Sequence, residues 1–310
     1  MYQLDISPFG NYEKFTLQHP ASGNGFALVP AFGACLLDLT FGGRAVLDAY
    51  ATPQEMERNK WAKNVVLFPF PNRLRDGRYT WADTTYQCPI NDPDTGNALH
   101  GFGMSREMRV AEIDLAEDAA AITCLYAGKA IDPGYPFAFT FAITFKMEAP
   151  GRFSVEMLFQ NDDTQPIPLG FGWHPYLRLS DTVDTLQLQM PPCARVEVDA
   201  RMLPTGQRTN YTQFIEFQTI KHTVFDTCFA LTTEQPTAEV LLRSPDYGLC
   251  LWQETGPGKF NFLQLFTPPH RRSLAIEPMT CNIDAFNNGE GRISLAPGTS
   301  SHARFGLYPM

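Results

Sequence analysis

Hydrophobic and polar residues alternate along much of the chain. From Phe137, the residues Phe137, Phe139, Phe141, Ile143, Phe145 and Met147 fall on one parity, while Ala138, Thr140, Ala142, Thr144 and Lys146 fall on the other. An extended chain turns successive side chains to opposite faces, so this period of two predicts a half-buried strand and excludes a helix. The Ala149-Pro150-Gly151 turn leads into Phe153, Val155, Met157 and Phe159, set against Ser154, Glu156 and Gln160. Together the two runs predict an antiparallel hairpin. A second hairpin is predicted about Ser244–Gly248, between Glu239–Leu242 and Leu249–Trp252, and the last strands at Arg292–Leu295 and His302–Tyr308, joined through Pro297-Gly298.

Helix signals are sparse. The best is Thr52-Pro53-Gln54-Glu55, with a threonine cap, proline at the first helical position and glutamate at the third, supporting about two turns before Trp61. The 25 prolines and 23 glycines are spread between the apolar runs, as many strand-joining turns require. No low-complexity segment, linker or fixed-period repeat divides the chain. The expectation is an all-β fold of stacked antiparallel sheets with few short helices, forming one domain over residues 1–310.

Composition narrows the partners. A hydrophobic fraction of 44% supports a substantial core, and a net charge of −9 disfavours nucleic acid and anionic membranes, which both call for basic surfaces. The N-terminus lacks a basic stretch followed by an apolar one, and no apolar run approaches the roughly 18 residues of a membrane helix. Seven cysteines without a Cys-x-x-Cys pair are read as reduced core thiols, and the expected compartment is the cytoplasm.

Three separated segments each carry one proton-transfer group in a stretch poor in charge. His100 follows a turn-rich loop, Asn91–Asn97, and precedes Gly101, which permits close approach of backbone to a ligand. The plain alternative is a surface-loop histidine held by a backbone carbonyl. His174 is the single ionisable group in Leu169–Leu177 apart from the Tyr176 phenol. In extended conformation Gly172, His174 and Tyr176 share a face and Trp173 points the other way, while Pro175 favours a strand end. A core histidine satisfied by backbone would read the same. Glu277 follows the apolar Leu274-Ala275-Ile276, where a carboxylate is costly unless hydrogen-bonded or paired; it either faces a pocket or leaves toward solvent to meet Arg271 or Arg272.

Further polar candidates are Asn72 and Arg73, after an aromatic-proline run, and the lone acid Asp226. Gln264 alternates with Leu263 and Leu265. Each could bind a hydroxyl-rich ligand, cap a turn or face water. Nucleotide-binding glycine loops and a Gly-x-Ser-x-Gly elbow are absent from the sequence, whereas two histidines and a carboxylate could still assemble a metal site in space.

In this order, Asn72-Arg73, Leu99-His100-Gly101, Trp173-His174-Pro175-Tyr176, Phe225-Asp226 and Ile276-Glu277-Pro278 through Asp284–Asn287 resemble the aldose 1-epimerase (galactose mutarotase) family, over roughly residues 25 to 305. The resemblance implies a large β-supersandwich and interconversion of the α and β anomers of a free aldohexose such as glucose or galactose, without cofactor or metal. It implies Glu277 as base at the C1 hydroxyl, His174 as acid at the ring oxygen, with an ionised Glu277 favouring charged His174, and His100 as a hydrogen-bonding helper. Asn72, Arg73, Asp226 and Gln264 would hold the other hydroxyls. The Met279-Thr280-Cys281 run replaces a more polar, glycine-containing stretch, which leaves the choice of aldose open. A hexose-6-phosphate epimerase would need cations from Arg73, Arg75, Arg78, Arg271 and Arg272 at the rim. A catalytically silent sugar-binding module is the rival of another class. A monosaccharide is the expected partner, and a monomer or homodimer the expected assembly.

Overall fold

A computed structural model of the protein describes residues 1–128 and 130–310. Two large antiparallel sheets carry most of the chain. The first has nine strands, in the order Arg109–Leu115, Ala119–Gly128, Phe139–Glu148, Arg152–Asn161, Ser300–Pro309, Gly248–Glu254, Thr237–Arg243, Gln187–Gln189 and Gln218–Thr219. The second runs Pro204–Tyr211, Cys193–Val198, Asp226–Leu231, Phe262–Phe266, Leu274–Met279, Gly172–Trp173 and Val66–Leu67, with Tyr176–Leu177 also paired to Leu274–Met279. Residues 3–45 form a five-stranded antiparallel sheet, and among the described residues three two-stranded pairs accompany these. The all-β class follows from the alternation seen in sequence.

Both predicted hairpins form. Phe141 pairs with Phe159 and Glu148 with Arg152, so the apolar parity of each strand falls on the same face. Phe137 is buried but precedes the strand, which begins at Phe139. In the second hairpin Arg243 pairs with Gly248. The last two strands separate between sheets: Ile293–Leu295 pairs with Ile167–Leu169, whereas Ser300–Pro309 lies between Arg152–Asn161 and Gly248–Glu254. Only the four residues 296–299 separate them, yet they belong to different sheets, a feature that pairing by proximity in sequence does not reveal.

The inward parities meet in an aromatic core. Phe141 and Phe159 stack at 4.4 Å between ring centroids, Phe68 approaches Phe141 at 4.6 Å, and Phe171 approaches Phe159 at 4.9 Å. Each such ring removes a large apolar area from water. The helix predicted at Thr52 spans Pro53–Arg58, with the Thr52 hydroxyl accepting from the Glu55 amide at 3.2 Å. Glu55 accepts from the Ala51 amide at 2.9 Å, and Asn59 ends the helix in left-handed conformation. This helix leads into the rim of the cavity described next.

Candidate active site

The second large sheet turns one face toward a cavity of about 610 Å³ whose walls include Asn72, Arg73, His100, His174, Asp226, Gln264 and Glu277. All seven residues singled out from the sequence therefore line one space, within the size range of about 300–1,000 Å³ usual for small-molecule sites.

Register explains part of this convergence. Gln264 lies directly opposite Glu277 in neighbouring strands, and Cys228 lies opposite Gln264, so the parity shared by Asp226, Gln264 and Glu277 projects to one face. Leu263, Leu265 and Ile276 take the other face and are fully buried in the apolar core. His174 sits between two short strands, Gly172–Trp173 and Tyr176–Leu177, where Pro175 cannot donate to a ladder. The expected sorting of faces occurs: the His174 ring stacks on Tyr176 at 4.9 Å and 5°, while Trp173 stacks on Phe305 at 5.1 Å.

Glu277 is 1% exposed and His174 is 5% exposed, with His174 Nε2 3.3 Å from Glu277 Oε1. The solvent-facing alternative for Glu277 is thereby removed; Arg271 instead pairs with Asp184 at 2.6 Å. Glu277 Oε2 and His174 Nδ1 have no hydrogen-bond partner among the described residues, although both atoms are buried. Such atoms are costly unless a ligand or solvent meets them, so the pair is set for an incoming polar group.

Burial governs the charge of this pair. Desolvation pushes the Glu277 carboxyl well above its ordinary range, reinforced by the nearby Asp226 charge and opposed by Arg73. Desolvation likewise pushes His174 well below its ordinary value, helped by His100. The expectation that an ionised Glu277 holds His174 charged is corrected here. Separating a proton from Glu277 onto His174 creates two buried charges, and losing their hydration outweighs their mutual attraction.

His100 lies beside this pair, its ring in T-shaped contact with His174 at 5.2 Å between centroids. Its Nδ1 is 2.7 Å from the Pro71 carbonyl oxygen, and its amide donates to the Asn72 carbonyl at 3.2 Å. A carbonyl only accepts, so Nδ1 carries the hydrogen and, in the neutral ring, Nε2 offers a lone pair. Burial brings its pKa down to about 4. The carbonyl of the loop alternative is present, and the ring is half-buried at the cavity wall. The close approach expected at Gly101 is also redirected: a Cβ there would lie 2.2 Å from the Phe68 carbonyl oxygen, so the absent side chain makes room for protein backbone and not for ligand.

The remaining polar walls are connected. Asn72 Nδ2 donates to Gln264 Oε1 at 3.3 Å, and Gln264 Nε2 donates to Asp226 Oδ1 at 2.8 Å. Arg73 Nε donates to Asp92 Oδ2 at 2.9 Å, and Thr95 in the same turn-rich loop also bonds that oxygen at 2.6 Å. Asp92 thus steers Arg73, a role that the loop's composition did not signal. Arg58, Trp61 and Phe266, which sequence reasoning did not place in the site, also line it. Of the five arginines considered as phosphate ligands, Arg73 alone lines the cavity, while Arg75 pairs with Asp284 at 3.4 Å. Among the described residues no group of three or more His, Cys, Asp and Glu side chains is placed to hold a metal ion. Among the described residues no helix is long and apolar enough to cross a membrane.

Comparison with known proteins bears on the family and the fold. A family model described as aldose 1-epimerase matches residues 13–308. The uncharacterized Escherichia coli protein YihR is 32% identical over 302 residues, covering 93% of this chain and 91% of that protein. A galactose mutarotase-like protein from Clostridium acetobutylicum has the same fold, with a TM-score of 0.89 at 18% identity over 100% of this chain and 98% of that one. A galactose 1-epimerase from Lactobacillus acidophilus has a TM-score of 0.83 at 14% identity, over 100% of this chain and 98% of that one.

Proposed function

Because the chain belongs to the aldose 1-epimerase family, we propose that it interconverts the α and β anomers of a free aldohexose by acid–base ring opening. The observation that carries this reading is the buried His174–Glu277 contact at 3.3 Å, with His100 against His174, in a polar-walled cavity. Two proton-transfer groups that close together can serve two oxygens of one small molecule, the C1 hydroxyl and the ring oxygen, which share a carbon.

In the proposed reaction, Glu277 takes the proton from the C1 hydroxyl while His174 gives one to the ring oxygen. The bond between C1 and the ring oxygen breaks and leaves an open-chain aldehyde. Rotation about C1–C2 presents the other carbonyl face, and reclosure with the two roles reversed yields the other anomer. The His174–Glu277 pair holds one proton throughout its resting state. A substrate hydroxyl at Glu277 supplies the hydrogen bond that the ionised carboxylate lacks in the empty site, which favours moving that proton onto His174.

His100 has a narrower part. With Nδ1 committed to Pro71, its Nε2 accepts from a sugar hydroxyl, and the ring oxygen, which has no hydrogen to give, is left to His174. Arg73, Asn72, Gln264 and Asp226 supply donors and acceptors for the other hydroxyls. The hexose-6-phosphate reading has little support, since a cluster of unpaired rim arginines is missing among the described residues at the positions considered.

Polarimetry on freshly dissolved α-glucose and α-galactose tests the proposal. Glu277→Gln and His174→Asn should each reduce the catalysed rate by about 10²–10⁴-fold, the span usual for a general acid or base, while sugar binding persists in calorimetry. Undiminished rates in both variants would overturn this mechanism. Sugar binding by the unaltered protein without acceleration of mutarotation would identify a binding module instead.

A further inference from the structure

Trp61 stands where an ordinary wall residue would not. Its backbone is left-handed, with φ of 66°, and it sits in a run in which Asn59, Ala62 and Asn64 also have positive φ. Asparagine tolerates that region, but a bulky side chain enters it only when the surroundings impose it. Here two buried tyrosines do so. The Tyr50 hydroxyl lies within 3.0 Å of both Asn59 Oδ1 and the Lys60 carbonyl and accepts from the Lys63 amide at 2.9 Å. The Tyr176 hydroxyl donates to the Trp61 carbonyl at 2.7 Å. Tyr176 is the same residue whose ring stacks on His174, so the curl carrying Trp61 is tied to the face that carries the proposed acid.

The indole bounds the cavity and is half-exposed, unlike Trp173, which is buried. Its ring meets that of His270 edge-to-face at 5.0 Å between centroids, and the Lys60 and Lys63 ammonium groups lie 4.4 and 5.9 Å from its centre. His270 is near Asp48, which pairs with Lys63 at 2.6 Å and accepts from Ser273 at 2.7 Å, just before the strand of Glu277. A strained, cross-braced aromatic ring in the wall of a polar cavity has no need to be there for the core. The ring is half-exposed and bounds the cavity despite these neighbours. We infer that Trp61 is a substrate-contact residue, whose ring packs against the C–H face of a pyranose and so helps to select among aldoses. Ring carbons of a sugar carry weakly positive hydrogens on their flatter face, and the negative face of an aromatic ring complements them.

This contact rests on the proposed sugar chemistry, and the experiment separates the two. Trp61→Ala should raise KM for the preferred aldose by roughly tenfold and change kcat by less than about threefold, since the ring is lost from binding and not from proton transfer. Trp61→Phe, which keeps a ring and guards against misfolding of the alanine variant, should retain most of the affinity. In the Glu277→Gln background, which binds without turnover, sugar should change tryptophan fluorescence; Trp61→Phe should abolish that change and Trp81→Phe should leave it. An unaltered KM in Trp61→Ala, or a full fluorescence response in Trp61→Phe, would overturn the contact alone. The absence of both catalysis and a sugar-dependent signal in the unaltered protein would overturn the sugar reading and the contact with it.

Discussion

His174 and Glu277 are best described as a unit that holds one proton. Adding a second proton makes a buried imidazolium, and removing the first makes a buried carboxylate; burial resists both. The sign follows for each limb of the pH profile. His174 is depressed, so the acid limb, where the pair takes its second proton, must fall below the ordinary histidine value of 6.5. Glu277 is raised, so the alkaline limb, where the pair loses its proton, must lie above the ordinary glutamate value of 4.5. Measurement of kcat/KM for mutarotation across pH should place the acid limb below pH 6.5 and the alkaline limb above pH 4.5. An acid limb centred at 6.5 or above would show that His174 works as an ordinary, solvated histidine. His100, brought to about 4 and bonded to Pro71, should not contribute a limb near neutrality.

At the scale of elements, the site depends on strands and on the turns that meet their ends. The strands Phe262–Phe266 and Leu274–Met279 present Gln264 and Glu277 side by side because they pair in register. The loop carrying His100 is pinned by a bridge between Phe68 and Gly101, with the Phe102 amide donating to the Phe68 carbonyl at 2.7 Å. Gly101 has φ of 64° and almost no room for a Cβ. Gly101→Ala should therefore cost more than about 2 kcal/mol of stability in urea denaturation, from the left-handed backbone and the clash together. It should also weaken catalysis, because His100 is its neighbour. A variant as stable as the parent would show that the loop shifts freely. The alternation of hydrophobic residues made both hairpins legible, since period two states directly which face is buried. It could not disclose that Ile293–Leu295 and Ser300–Pro309 join different sheets, because the partner of a strand is set by distant chain segments.

Over the whole molecule, the two large sheets bury an aromatic core, and all seven cysteines are free and buried. Burial raises each thiol, with Cys124, Cys193 and Cys250 pushed up to about 12. Thiolates are the reactive form, so Ellman's reagent should find almost no thiol in the native protein and seven after denaturation. Prompt reaction of one or more native thiols would indicate that the sheets open locally on the timescale of the assay.

What the sequence determined by itself was the β character, from its period of two, and a short set of chemically able residues, from their isolation among apolar neighbours. Each of those residues had an ordinary alternative: a loop histidine, a core histidine, a strand-end glutamate, a solvated arginine. The tertiary structure decided between them, because burial and contact are properties of the packed sheets. Only packing sets His174 against Glu277, turns His100 into an acceptor through Pro71 and aims Arg73 through Asp92. Only packing, again, reveals Trp61, whose place at the rim comes from a backbone curl held by two tyrosines, Tyr50 nearby in sequence and Tyr176 more than a hundred residues away. A local pattern records which face a residue prefers, whereas the partner across a cavity is fixed by the free energy of the whole fold.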